Sequence, residues 1–171
     1  MVGLIQMKPE KIIKEIKKSL ESNKSNFVLD LNKELVDVFK NNKKIEYDDV
    51  THELLEKEEK LNIENYDTVA DFLIKEFNGE IKREGFFGVV FYLPVSYLLY
   101  FDDLFSDLLF EFCIDEYSKI NKIEKLSDED EDNFSNKIIE HPDFGAIIEL
   151  GYDIFNDFVE QKIYQIFKNY N

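Results

Sequence analysis

The chain has 171 residues, a formal net charge of −16 at pH 7 and a sequence pI of about 4.5. Its hydrophobic fraction of 44% is too high for a disordered acidic tail, so we expect a folded domain with a core. Because Lys and Arg supply the affinity for phosphate, the charge argues against direct binding to nucleic acid and against docking on an anionic membrane.

Helical periodicity predicts four helices in the first half of the chain. Pro9 stands where a first helical turn begins, and apolar residues follow it at helical spacing. A second helix is predicted over 27–39, a third begins at Asp48 or Asp49, and a fourth covers 65–77.

The second half also has mainly helical patterning. Pro94 can start a helix that runs to about residue 120, and a long helix covers 143–170. Between them, the acidic run 127–132 is a solvated loop or a helix start, and 136–140 forms a short helix. We therefore predict an all-α fold, a bundle of about six to eight helices, with a short β-hairpin near 81–92 as the one alternative.

The two halves differ in charge and in aromatic content. Residues 1–85 hold 15 basic and 19 acidic side chains, whereas residues 86–171 hold 6 basic and 18 acidic ones, with 19 of the 25 aromatics. No Pro-, Gly- or Ser-rich linker separates them, so we expect a single acidic helical domain over 1–171.

The sequence shows no pattern of a secreted protein, and a membrane-associated segment stays open only for the run 86–101, which has charged residues on both sides. Its longest run without charge, 86–101, is shorter than the roughly 20 residues that span a bilayer, which favours a buried core segment. The N-terminus shows no signal-peptide pattern, and a single cysteine suits a reducing compartment. We expect a cytoplasmic protein of bacterial or phage origin.

Residues that carry most catalytic and metal chemistry are few. His52 and His141 have no Glu-x-x-His partner, and both are expected at the surface. Cys113 lies among apolar residues without a nearby histidine, which favours a buried thiol over a nucleophile. The run 127–132 matches part of a calcium loop but lacks its glycine and final glutamate. We therefore predict no catalytic residue, no metal site and no cofactor.

Two predicted helices carry acidic residues at every fourth position, with no basic residue to balance them. The candidate partner-binding residues, here called the acidic rows, are Asp103, Asp107, Glu111 and Asp115 with the adjacent Asp102, and Glu149, Asp153 and Asp157. Residues four apart lie above one another on a helix, about 6 Å apart along the axis. Like charges at this spacing destabilise a helix by about 0.2–0.5 kcal/mol per pair, so stability alone does not favour the pattern.

Rows of carboxylates resemble rows of phosphates in charge and spacing. They would steer and hold a basic groove, which predicts a non-catalytic decoy for a nucleic-acid-binding protein or an inhibitor of a basic toxin. A solvated acidic face is the simpler interpretation. Since the second half is also rich in aromatics, a homo-oligomer is compatible with the sequence.

One short segment is similar to a known family. Gly79-Glu80-Ile81-Lys82-Arg83-Glu84-Gly85-Phe86 resembles the Gly-Glu-Val-x-Asn-Gly-Gly-Phe motif of a family of small, acidic, helical bacterial DNA-mimic proteins. The resemblance implies binding of a DNA-binding protein in place of DNA, without catalysis. Taken by themselves, Gly79 and Gly85 predict a turn.

Two alternatives to nucleic-acid mimicry remain open at this point. An immunity or antitoxin-like protein would bind one basic toxin tightly, through an aromatic anchor at the centre of the interface. A metal-dependent enzyme would need Asp and Glu side chains that converge in a pocket.

Overall fold

The computed structural model describes residues 7–22, 25–41, 69–84, 93 and 95–170. This part of the chain forms six α-helices and one π-helical segment and contains no strand, which confirms the predicted all-α fold. The helix predicted from Asp48 or Asp49 lies outside the described residues. So do residues 85–92 of the alternative hairpin.

The first two helices follow the prediction closely. Helix α1 is Pro9–Leu20, with Pro9 in its first turn, where a missing amide hydrogen costs nothing. Helix α2 is Asn26–Phe39. Ser25 precedes α2 and accepts a hydrogen bond from the Val28 amide at 3.3 Å, so a side chain caps this helix.

Helix α3 is Val69–Glu84 and extends beyond the predicted end at residue 77. The turn predicted at Gly79 is therefore wrong, and residues 81–84 are helical, not part of a hairpin. A glycine inside a helix costs only about 1 kcal/mol, which the burial of Phe72 and Leu73 on the same helix can offset.

Helix α4 is Val95–Ile120, as predicted. It ends in a left-handed turn at Lys122, whose φ is 54°. The Ile123 amide then donates to the Ser118 carbonyl at 2.9 Å, which satisfies one of the carbonyls left open at the helix end.

The acidic run begins a helix. Helix α5 is Asp128–Asn133, and it continues as a π-helical segment, Phe134–Ile139. The Asp130 amide donates to the Ser127 hydroxyl oxygen at 3.2 Å, and the Ser127 amide donates to the Asp130 carboxylate at 3.0 Å. This reciprocal capping box starts α5. Helix α6, Phe144–Tyr170, closes the chain.

The described chain divides into two compact units, and α2, α4 and α6 each contribute one end to each unit. The first unit comprises Met1–Asp30 and Ser106–Ile154. Its core includes Phe27 against Phe112, with ring centroids 6.4 Å apart, and a fully buried Phe134. Here α1 also contacts the π-helical segment.

The second unit comprises Leu31–Phe105 and Phe155–Asn171. Phe101 lies at its centre, with its ring 5.8 Å from Phe39 and 6.1 Å from Phe155. The hydroxyl of Tyr100 donates to Glu34 Oε2 at 3.2 Å, which joins α4 to α2. Among the helices the structure describes, none combines the length and the apolar character needed to cross a membrane.

Candidate interaction site

All eight residues of the acidic rows are exposed to solvent. On α4, the four residues of the row that recur at every fourth position each lie two positions after a buried residue, as Asp103 follows Phe101 and Asp107 follows Phe105, whereas Asp102 comes directly after Phe101. Two positions correspond to about 200° around a helix, so the row lies opposite the buried stripe. Asp107, Glu111 and Asp115 belong to the first unit, and Asp102 and Asp103 to the second.

The second row has the same relation to the buried stripe of α6. Glu149 and Asp153, in the first unit, follow buried Ile147 and Gly151 by two positions. Asp157 follows the buried Phe155 and belongs to the second unit. The same register continues with exposed neutral amides, at Gln161, Gln165 and Asn169. The negative charge of the row is therefore confined to the N-terminal half of α6.

Both rows wind around their helices. A spacing of four residues exceeds the 3.6 residues of a helical turn, so each successive carboxylate is rotated by about 40°. The buried stripes have the same spacing and wind in parallel. Each row consequently stays opposite its own stripe along the whole of its length.

The carboxylates of the rows have no ion-pair partner within the described ranges of the chain. Among the described residues, none of the eight lies within ion-pair or hydrogen-bond distance of a partner side chain. The basic side chain closest to the first row in sequence, Lys119, has its ammonium 3.6 Å from Glu116 Oε1, which is not a row residue. The rows thus present exposed carboxylates that no side chain in the described part of the chain pairs with.

The charge density of a row can be compared with that of DNA. Successive carboxylates are about 6 Å apart along the axis, whereas one DNA strand carries a phosphate about every 3.4 Å. One row therefore has roughly half the linear charge of one strand. A basic site would bind it less tightly than DNA unless other contacts contribute.

Exposed apolar side chains lie beside both rows, and the sequence pattern did not identify them. Phe110 is 49% exposed and precedes Glu111, while Ile148 and Tyr152 are 38% and 41% exposed. The rings of Phe110 and the buried Phe134 form a T-shaped pair with centroids 5.6 Å apart, so Phe110 is held against the core. Phe110, Ile148 and Tyr152 each come one position after a buried residue of the same helix. This spacing is the sequence feature from which their exposure could be predicted.

The histidine and cysteine predictions have different outcomes. Cys113 is fully buried, and that burial, followed by the charge of Glu116, raises the pKa of its thiol to about 12. This confirms the predicted burial of the Cys113 thiol. The His141 side chain is half-buried, with 18% exposed, and its ring contacts Glu10 at the surface. His52 lies outside the described residues.

The described residues contain no group of three or more His, Cys, Asp or Glu side chains placed to hold a metal ion. In the former calcium-loop candidate, the carboxylate of Asp130 accepts hydrogen bonds from Ser127. In the segment that resembles the DNA-mimic motif, residues 79–84 are helical, and residues 85 and 86 lie outside the described residues.

No protein-family model, no curated protein and no solved structure matches the chain.

Proposed function

We propose that this chain is a non-catalytic acidic interaction module that occupies the basic site of a nucleic-acid-binding protein in place of the nucleic acid. The proposal rests on the exposure of all eight carboxylates of the acidic rows, seven of which lie opposite the buried stripes. No Lys or Arg stands between Arg83 and Lys119 or between Lys137 and Lys162. Such a surface attracts a basic groove over several ångströms and repels nucleic acid.

The test is capture of partners from a bacterial lysate at about 50 mM NaCl, followed by elution with salt. At this concentration the Debye length is longer than at physiological salt, so attraction between charges is less screened. Duplex and single-stranded DNA are added as competitors. Nucleic-acid-binding proteins that are released by salt and displaced by DNA support the proposal. If no such protein is recovered, the rows are a solvated face.

A pair of matched variants separates a specific surface from bulk charge. The row variant combines Asp107→Asn, Glu111→Gln and Asp115→Asn. The control removes the same charge from exposed positions outside the rows, with Asp30→Asn, Glu124→Gln and Glu140→Gln. We expect the row variant to lose the captured proteins and the control to retain them. Equal retention by both variants would contradict a role for the rows.

A second candidate is an immunity-like or antitoxin-like inhibitor of one basic toxin. The exposed Phe110 beside Glu111 favours it, since an aromatic anchor next to charged groups is typical of tight protein interfaces. Recovery of a single basic protein that DNA does not displace would support this candidate over mimicry. The metal-dependent enzyme has no comparable supporting observation among the residues described.

A further inference from the structure

The N-terminal half of α6 carries an exposed apolar strip. Ile148 and Tyr152 are four residues apart and 38% and 41% exposed, so their side chains are neighbours on the helix surface. A helix that packs one face into a core normally has polar residues on the face turned to solvent. These two positions depart from that pattern at successive turns.

Carboxylates border the strip on one side. Glu149 follows Ile148 and Asp153 follows Tyr152, each about 100° further around the helix. No basic residue stands between Lys137 and Lys162 in the sequence, and no side chain among the described residues forms an ion pair with either carboxylate. A second copy that docked through its own strip would bring carboxylates against carboxylates, so the complementary occupant combines an apolar surface with positive charge.

We propose that this strip binds a basic amphipathic helix of the partner protein. The apolar face of that helix covers Ile148 and Tyr152, and its Lys or Arg side chains pair with Glu149 and Asp153. Apolar contacts at i and i+4 with charged residues at their edge are how two helices recognise each other along their length. The inference rests on the proposed function, because it takes the partner to be a basic protein, and it adds the form of the partner's contact.

The apolar contact also compensates for the limited charge of the row. A row with about half the linear charge of a DNA strand loses much of its attraction at physiological salt, where the Debye length is about 8 Å. Burial of two large side chains does not depend on salt in this way. The strip would therefore retain the partner where the carboxylates alone would release it.

The experiment uses two labelled synthetic helical peptides of identical Lys, Leu and Ala composition. In one peptide the leucines occupy a single helical face, and in the other they are spread around the helix. Fluorescence anisotropy with the full chain, at about 150 mM NaCl, measures both affinities. We expect the amphipathic peptide to bind about tenfold more tightly, a difference typical of one or two buried anchors.

The variant Ile148→Ser with Tyr152→Ser is expected to abolish this preference. Tyr164→Ser is the control, since Tyr164 is 48% exposed on the same helix but is followed by the neutral Gln165. Circular dichroism and urea unfolding verify that both variants are folded. The affinity of the double variant for the peptides should still fall as the salt concentration rises, because its carboxylates are intact.

The possible results separate the two proposals. If the wild-type chain binds both peptides equally, or the double variant keeps the preference, the docking inference is overturned and the proposed function stands. If neither peptide binds even at about 50 mM NaCl, a basic partner itself is contradicted. A dimer in analytical ultracentrifugation that the double variant dissociates would assign the strip to a second copy and overturn the inference.

Discussion

Nε2 of His141 lies 3.1 Å from Oε1 of Glu10, and so joins the turn before α6 to the first turn of α1. The Asp143 amide donates to Nδ1 of the same ring at 3.0 Å. A nitrogen that accepts this bond carries no hydrogen, so we assign the ring hydrogen to Nε2, which donates to Glu10. One imidazole thus connects two segments that are 131 positions apart.

His141→Ala should destabilise the first unit. It leaves the Asp143 amide without its acceptor, which costs about 1 kcal/mol, and it also removes the link to α1. Glu10→Gln keeps an acceptor for Nε2 and should have a smaller effect. Urea unfolding at pH 7 measures both variants. An effect of Glu10→Gln as large as that of His141→Ala would show that the charge matters more than the hydrogen bond.

The same contact predicts a pH effect at Glu10. A backbone hydrogen bond, and after it the His141 ring, holds the pKa of Glu10 below its usual range. Because the pKa is lowered in the folded state, Glu10 stabilises the fold at pH values above its unfolded-state pKa, about 4.3. This contribution to the free energy of unfolding is lost as the pH falls through the folded-state pKa. NMR titration should show the pKa of Glu10 rising in His141→Ala. An unchanged value would contradict the contribution of the ring.

The capping box of α5 predicts a second stability effect. Ser127→Ala removes the hydroxyl that accepts from the Asp130 amide and should lower the free energy of unfolding by about 1 kcal/mol. The pKa of Asp130, held below its usual range by the Ser127 amide and then by its hydroxyl, should rise only in part, since the amide remains. Ser135→Ala, an exposed serine in the π-helical segment, is the control. Equal unfolding curves for both variants would contradict a stabilising cap.

Much of the fold could be predicted because it depends on local spacing. Pro9 and the apolar residues after it define α1, and the rows could be placed opposite the buried stripes because side-chain direction follows from helical geometry. The turn predicted at Gly79 is wrong because buried side chains on the same helix can hold a glycine in helical conformation. The contact between His141 and Glu10 could not be predicted, because no periodicity relates residues so far apart in sequence.

The end of α4 offers a stabilising substitution. Lys122 adopts φ 54°, a left-handed conformation in which a Cβ atom is strained. Lys122→Gly relieves that strain and should raise the free energy of unfolding by about 0.5 kcal/mol after the entropy cost of glycine. Lys122→Ala removes the same charge but keeps the Cβ atom, so it should give no such gain. If both variants were equally stabilising, the gain would come from charge and not from the backbone.

The thiol of Cys113 should be inert in the folded protein. It is fully buried, and burial together with the charge of Glu116 raises its pKa to about 12, so almost no thiolate forms at neutral pH. We expect no labelling by iodoacetamide at about pH 8 and complete labelling in concentrated urea, measured by mass spectrometry. Rapid labelling of the folded chain would contradict a structural thiol and reopen the question of a reactive one.

Charge reversal in the first row should separate binding from stability. In the double variant Asp107→Lys with Glu111→Lys, each new lysine lies four residues from a remaining aspartate, Asp103 or Asp115. Two repulsive charge pairs become attractive, and each attractive pair stabilises the helix by about 0.2–0.5 kcal/mol. The chain should therefore unfold at the same urea concentration or a higher one. Binding of any partner captured through the rows should nevertheless be lost, because the charges that attract its basic groove are inverted.

The control variant, Glu124→Lys with Glu140→Lys, makes the same change in net charge at exposed positions outside the rows, and should keep the partner. Loss of binding in both variants would mean that net charge, and not the arrangement of the row, controls the interaction.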